Sequence, residues 1–235
     1  MKNCTFIYPF YNNQSVVDTQ CQLWNSYSES IRKRLCIIVV DDGSTPPLTF
    51  TIAPPVTTIH LRVTEDIRWN QPGAKNLAMK FVPTEWTFIS DADHLMSEEA
   101  VVSLLDFMPE ESTFYTFGRS RNGQPWHPHP NTFLMRKSDF FSVGGYDEDF
   151  CGNYGYDDIF FVEKMKQNHQ SVVLEHIRLE NNTGFATPDA DRNHRKNKHL
   201  LKKKRQLLKK NRYQSPRMIR FNWEIVHGYP PMPLQ

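Results

Sequence analysis
The chain has 235 residues, 28 Lys and Arg against 26 Asp and Glu, 39% hydrophobic residues and 13% aromatics, enough for one large domain, or a domain with a C-terminal extension, around a sizeable core. No apolar run approaches membrane-spanning length, no signal-like segment precedes the first strand-like run, and Cys4, Cys21, Cys36 and Cys151 form no Cys-x-x-Cys pair. The expected setting is therefore reducing and cytoplasmic, with membrane contact at the surface at most. The near-neutral net charge hides an asymmetry: residues 192–212 carry 11 Lys and Arg and no acid, leaving 17 basic against 26 acidic residues elsewhere.

In chain order, Cys4 to Phe10 reads as a short strand and Asn12 to Ser26 as an amphipathic helix with Val16, Val17, Cys21 and Leu23 on its apolar side. Leu35 to Val40 is apolar at every position, as a central parallel strand buried on both faces should be. It exits sharply into Asp41-Asp42-Gly43-Ser44. Thr57 to Val63 is a third strand. After the loop from Arg68, residues Ala74, Leu77, Ala78 and Phe81 fall at i, i+3, i+4 and i+7 and give a helix one apolar face. Trp86 to Ser90 is a buried strand ending in Asp91-Ala92-Asp93. Ser97-Glu98-Glu99 then opens a helix buried through Val101, Leu104, Leu105 and Met108. Strand–helix alternation over the first ~110 residues predicts an open α/β sheet with helices on both faces.

The second half changes character. Thr113 to Phe117 and Asn131 to Met135 read as strands flanking a polar loop that holds Trp126, His127 and His129. A glycine-hinged turn, Phe140 to Phe150, follows. Tyr154-Gly155-Tyr156-Asp157-Asp158 leads into a helix with Phe161, Val162 and Met165 inside. Ser171 to Leu174 is a last strand ending near His176. Residues 192–212 suit a basic helix with Leu200, Leu201, Leu207 and Leu208, and the Pro-rich end from Gly228 reads as a tail or docking strap.

Open α/β sheets bind ligands at the carboxyl ends of their strands, where both Asp41-Asp42 and Asp91-x-Asp93 fall. Alternate residues of an extended chain point the same way, so Asp91 and Asp93 can aim at one spot. Two carboxylates there repel unless a cation intervenes, and a hard divalent ion shared with phosphate oxygens is the natural filler. The ordinary alternatives are acids near the N-terminus of the next helix and Asp-Gly-Ser as turn chemistry.

Val39-Val40-Asp41-Asp42-Gly43-Ser44-Thr45, then Asn70-Gln71-Pro72-Gly73-Ala74-Lys75-Asn76, then Ser90-Asp91-Ala92-Asp93, resembles in this order the family two glycosyltransferases of the GT-A fold. Gly144-Gly145-Tyr146-Asp147 and Tyr154-Gly155-Tyr156-Asp157-Asp158 look like the galactosyltransferase C-terminal segment often joined to it. The resemblance covers roughly residues 4–205. It implies a mixed, mostly parallel Rossmann-like sheet in a domain of residues 1–185, with a nucleotide-binding half (1–96) and an acceptor and catalytic half (97–185). Residues 186–235 would be a basic helical extension with a Pro-rich tail.

The implied reaction moves a sugar from a nucleotide-diphosphate sugar, UDP-linked, to an acceptor hydroxyl on a glycan, lipid-linked or protein acceptor, with inversion. Asp41 or Asp42 would recognise the uracil or ribose. Arg68 would approach the diphosphate, with Asn76 facing the same pocket, Gly73 letting the backbone come close, and further donor contacts at Pro9 and Gly145. Asp91 would sit at the ribose and metal, and Asp93 at a Mn²⁺ or Mg²⁺ ion serving as Lewis acid. His176, or else His194, would be a third ligand. Asp158 would be the base and Asp157 would hold hydroxyls, although Asp157 departs from the family's usual Glu. Lys75 is expected in solvent and His94 turned aside, while Trp69, Trp126 and Tyr146 are candidate sugar platforms. The basic stretch 192–212 suits closure over the diphosphate or contact with an anionic surface; no nucleic-acid motif accompanies it. A nucleotidyltransferase would carry a Gly-rich loop where Tyr8 to Asn13 has no glycine. An inactive sugar-binding module would lack the carboxylates, and all are present.

Overall fold
The structure, a computed structural model, describes residues 3–51, 56–182 and 192–229. Strands β1 (Cys4–Phe10) and β2 (Leu35–Asp41) are buried at every position. With β3 (Thr57–Val63) and β4 (Trp86–Ile89) they form a parallel unit in the order β3-β2-β1-β4. The chain steps outward from β1 to β3 and then returns past β1 to lay down β4. That reversal opens a crevice beyond the carboxyl ends of β1 and β4, where such sheets take their ligands.

Period-2 alternation divides the core between the two faces. Phe6, Tyr8, Phe10, Ile37 and Val39 pack with Val16, Val17 and Trp24 of helix α1 (Gln14–Ser26). Ile7, Ile38 and Val40 pack on the other side with Ala74, Leu77 and Ala78 of a second long helix (Gln71–Phe81). A four-residue helix, α2 (Glu29–Arg32), precedes β2, so Gln71–Phe81 is α3. Two-residue β5 (His94–Leu95) follows β4 and leads to α4 (Glu98–Asp106), whose cap is the Ser97 hydroxyl accepting from Ala100 N–H.

The remaining elements are β6 (Thr113–Arg121), β7 (Gln124–Trp126), β8 (Phe133–Arg136), α5 (Lys137–Ser142), a 3₁₀ turn at Glu148–Phe150, α6 (Asp157–Met165), β9 (Gln170–Asn181), α7 (Arg195–Lys209) and β10 (Trp223–Tyr229). Strand β8 lies antiparallel between β4 and β6, β9 runs parallel to β6, and β5 closes that side antiparallel to β9. Together with β10 they give a mixed α/β sheet built around that parallel unit.

Two elements differ from the sequence reading. Strand β9 extends to Asn181, well past Leu174, because a bulge lets pairing resume: Phe117 faces Leu174 and Gly118 faces Arg178. Strand β10, expected as tail, instead pairs antiparallel with β3 across Trp223–Tyr229 and extends the main sheet. Its Ile225 and Val226 are exposed, so no alternation marks it in the sequence. The last Pro-rich residues lie outside the described ones. No described helix is long and apolar enough to cross a membrane.

Candidate active site
A cavity of about 910 Å³ opens at the crevice, and its wall brings together Pro9, Asp42, Arg68, Asp91, Asp93, Asp157 and Asp158. The loops beyond β1, β2 and β4 supply one side and the first turn of α6 the other.

Of the neighbours Asp41 and Asp42, only Asp42 reaches the cavity. Asp41 ends β2 opposite Arg62 of β3 and is fully buried; its Oδ2 lies 2.5 Å from Arg62 Nη1, and it accepts the Ser44 and Leu48 N–H groups. It shapes the strand exit rather than meeting a ligand. Asp42 accepts from Asn70 Nδ2 at 2.8 Å. Burial pushes its carboxyl up to about 7, the Asn70 amide opposing and the Asp41 and Asp66 charges adding. An Asp41→Asn variant should accordingly lose about 2 kcal/mol of stability and keep nucleotide binding, whereas Asp42→Asn should fold and lose binding; chemical denaturation and UDP titration of the pair separate the two roles.

Asp91 is gripped by amides and a buried ammonium. Its Oδ1 accepts from Gln71 Nε2 (2.7 Å) and Asn131 Nδ2 (2.9 Å) and lies 3.2 Å from Lys75 Nζ, while Oδ2 is 3.6 Å from His129 Nε2. Burial opposes ionisation, but Lys75 and the two nearby histidines prevail and hold the carboxyl below its usual range. Lys75, expected in solvent, has no exposed side-chain surface. Its aliphatic stem belongs to the buried side of α3, and its ammonium sits 5.4 Å from the Tyr146 ring centre. Its charge also reaches Asp157 and Asp158, making it the central cation of an acidic site. One residue is about 100° of helical turn, so Lys75 falls off the Ala74-Leu77-Ala78 face and no local pattern marked it.

Asp93 accepts from Asn181 Nδ2 at 3.0 Å, and His94 Nδ1 lies 2.8 Å from its Oδ1 but misaligned for a hydrogen bond. His94 is turned from the cavity, against Arg119 and the His129 ring. His129, a loop residue with no motif around it, lines the cavity; burial is the main reason its imidazole drops to about 4.

Asp157 and Asp158 open α6 behind Tyr156, which adopts φ +69°. Trp69 (φ +55°) and Asn12 (φ +47°), both on the cavity wall, share that left-handed backbone. Non-glycine residues bear strain there, and such strain collects at functional sites. The loop before Asp157 is anchored by Asn197 of α7, whose Nδ2 donates to the carbonyls of Phe150, Asn153 and Gly155.

Five expected contacts lie elsewhere. Gly73 is inside α3, where a Cβ would come within 2.4 Å of Asn70 Oδ1 and 2.6 Å of Phe221; it serves packing, not ligand approach. Asn76 donates to the Tyr146 carbonyl and Glu148 Oε1 and accepts from Tyr146 N–H, so its amide is spent on a buried loop. Gly145 is that loop's φ +57° corner, enclosed by Asn76, Met218 and Phe140. His176 rides exposed on the β9 bulge, away from the cavity wall. The rival His194 packs edge-on against Tyr156. Of the aromatic platforms, Trp69 lines the cavity with its ring 4.4 Å from Tyr154, Tyr146 stacks in the core on Phe161, and Trp126 stands out on β7.

The model of glycosyl transferase family 2 matches residues 5–157, from β1 through the first residue of α6. The chain belongs to glycosyl transferase family 2. Among solved structures it is similar to the mannosyltransferase PcManGT from Pyrobaculum calidifontis in complex with GDP-Man and Mn²⁺ (TM-score 0.62, 16% identity, 91% of this chain and 66% of that one). It is also similar to S. aureus TarS 1-349 (TM-score 0.60, 15% identity, 76% and 60%). The catalytic domain of Drosophila beta1,4galactosyltransferase 7, in complex with xylobiose, superposes over 74% of this chain and 65% of its own (TM-score 0.52, 14% identity). The chain thus spans 60 to 66% of the length of these three solved chains. No curated protein sequence gives a significant match.

The donor set at the cavity can be weighed against a divalent metal. No three His, Cys, Asp or Glu side chains among the described residues converge as a cage. Asp93 offers hard oxygens on the cavity wall, and its Oδ1 accepts no hydrogen bond, His94 Nδ1 standing 2.8 Å away but misaligned. One carboxylate completed by substrate phosphates and water suits Mg²⁺ or Mn²⁺, so the residues fit such an ion without a histidine.

The acid pair makes a further prediction. Burial, with the Asp158 charge next, lifts Asp157 to about 7, and burial also raises Asp158. A carboxyl raised on folding stabilises fully below its unfolded pKa, and that contribution drains away as pH climbs through the folded value. Asn mimics the protonated form at every pH. The thermal midpoint of Asp157→Asn should therefore exceed the parent's by a margin that widens from pH 5 to pH 8; a constant margin would show that the carboxyl is not desolvated.

Proposed function
We propose that the protein transfers a sugar from a UDP-linked donor to an acceptor hydroxyl with inversion. The observation that carries this reading is a cavity with Asp42 and the Asp91-x-Asp93 pair on the sheet side and the Asp157-Asp158 pair on the α6 side. Asp42 can accept a nucleobase N–H or ribose hydroxyl, Asp91, held ionised by Lys75, can accept from the ribose, and Arg68 can meet the diphosphate. Asp93, with Asp91 beside it, would hold Mn²⁺ or Mg²⁺, which supplies Lewis-acid stabilisation to the departing nucleoside diphosphate. Asp158 takes the acceptor proton as the new C–O bond forms, and Asp157 orients sugar hydroxyls. The raised pair can share a proton near neutrality, which suits general base work. The glycan-ligand complex of one solved relative and the nucleotide-sugar complexes of others, TarS with UDP-GlcNAc included, support the substrate class.

Thermal stabilisation by UDP and GDP, each with and without Mn²⁺, tests the donor, since a ligand that binds only the folded state raises its midpoint. UDP is expected to give the larger shift, Asp42→Asn to reduce it in all conditions, and Asp93→Ala to remove only the Mn²⁺-dependent part. Equal shifts in parent and both variants would place the donor elsewhere.

A further inference from the structure
We propose that the acceptor is a polyanion, a phosphate- or carboxylate-bearing glycan, lying along the outward face of α7 with its reacting hydroxyl in the cavity. This rests on the glycosyl-transfer reading above and adds the substrate class.

Helix α7 seats Asn197, Leu201 and Lys204 against the body, packing near Phe150 and Phe160. At 3.6 residues per turn the opposite side presents Arg195, Lys198, Lys202 and Lys209, and all four are exposed. Lys204 is matched by Asp147 and Asp149 and Arg205 by Glu163, whereas these four have no ion pair among the described residues. Helix stability does not account for Arg195 and Lys198, whereas Lys209, in the last turn, is favoured there by the helix dipole. The first turn of α7 carries Arg195, Lys196 and Lys198 with no acid and no side-chain cap, and cations there oppose the helix dipole.

The basic face starts at the site. Arg192, three residues before α7, lines the same cavity as Asp157 and Asp158, and Asn197 ties the helix to the loop that delivers that pair. From there the 15 residues of α7 extend the positive surface by ~22 Å. A small neutral acceptor would touch almost none of it, whereas an anionic chain entering at Arg192 would follow it. An anionic membrane fits less well. Leu200, Leu201 and Leu208 of α7 pack inward and Leu207 is half-buried, leaving no exposed apolar residue on the helix to enter a bilayer. A flat anionic surface would also meet the acidic remainder of the molecule, 17 basic against 26 acidic residues, while a single chain meets only the helix.

The test uses the full chain and a Lys198→Gln/Lys202→Gln/Lys209→Gln variant, in which Gln keeps helix propensity. Inorganic polyphosphate and polygalacturonate fragments of increasing length are titrated calorimetrically, phosphatidylglycerol-containing vesicles are co-sedimented, and the UDP thermal shift is read in the same preparations. The parent should bind at least one soluble polyanion, with affinity rising until the helix is spanned and falling with salt. The triple variant should bind about tenfold more weakly, with an unchanged UDP shift. Equal binding by parent and variant, no binding of either polymer, or binding of vesicles alone overturns the proposal. A missing UDP shift with polyanion binding intact removes the glycosyl-transfer reading, and the acceptor role with it; a normal UDP shift with no polyanion binding removes the polyanionic acceptor alone.

Discussion

Replacing Asp158 by Asn is expected to lower glycosyl transfer about a hundredfold or more while UDP binding stays near the parent's. Asp158 lines the cavity in the first turn of α6, and its only hydrogen bond among the described residues is Oδ1 accepting the Ile159 N–H at 2.7 Å. Asn can keep that bond and nearly the same shape, but it cannot take a proton. The loss should therefore appear in kcat with donor KM nearly unchanged, the signature of an interaction made only in the transition state. The pH profile gives a second reading. A base must be ionised, so transfer should rise with pH through the apparent pKa of the coupled pair, which burial lifts in both members and sets near 7 for Asp157. Asp157→Asn leaves Asp158 as the one titrating member of the pair, so the acid limb should then follow a single ionisation. Transfer by Asp158→Asn at the parent rate would sink the assignment, and loss of UDP binding along with catalysis would make Asp158 a support of the pocket instead.

Lys75→Met should destabilise the protein by about 3 kcal/mol near pH 8, the low end for breaking a buried ion pair because the Asp91 side chain keeps some solvent contact. Met fills the space of the stem, so the loss measures charge rather than volume. Three carboxylates feel the Lys75 ammonium: Asp91 at 3.2 Å, with Asp157 and Asp158 farther off. A carboxyl lowered on folding contributes stability above its unfolded pKa and loses it as pH falls through the folded value. In the variant Asp91 loses the cation that lowers it and is left with burial that raises it, so the deficit should shrink as pH drops and Asp91 takes a proton. Asp157 and Asp158 should also rise, carrying the acid limb of transfer upward. Asp91→Asn added to Lys75→Met should recover part of the stability, and the coupling of the double-mutant cycle measures the pair. A deficit of the same size at pH 5 and pH 8, with no recovery in the double variant, would mean that Lys75 acts through packing alone.

The sequence by itself determined the alternating strands and helices of the first half and the strand ends on which the acids sit. Leu35 to Val40 and Trp86 to Ile89 can be read because a strand buried on both faces must be apolar throughout, and α3 because its 3.6-residue period is undiluted. Those periodicities depend on local neighbours alone, so they survive without the fold. Asp91 and Asp93 both reach the cavity, but through the turn that follows β4, where the His94 N–H donates to the Asp91 carbonyl, rather than through strand alternation. Only the tertiary structure decided what each polar residue near those ends does. Asp41 and Asp42 are chemically identical neighbours, and the pairing of β2 with β3 places Arg62 opposite Asp41, so that Asp41 is neutralised internally while Asp42 is left to the cavity. Lys75 reads as solvent-exposed until α3 is laid against β1 and β2 and Asp91 stands 3.2 Å away. Gly73, Asn76 and Gly145 match a motif in order, yet their surroundings come from Phe221, Tyr146 and Met218, far along the chain, and assign them to packing. His176 is carried off by a bulge that exists only where β6 and β9 lose and regain register. In each case the deciding partner is remote in sequence, and a carboxylate, amide or ammonium takes its role from whichever opposite charge or donor the fold brings within hydrogen-bond reach.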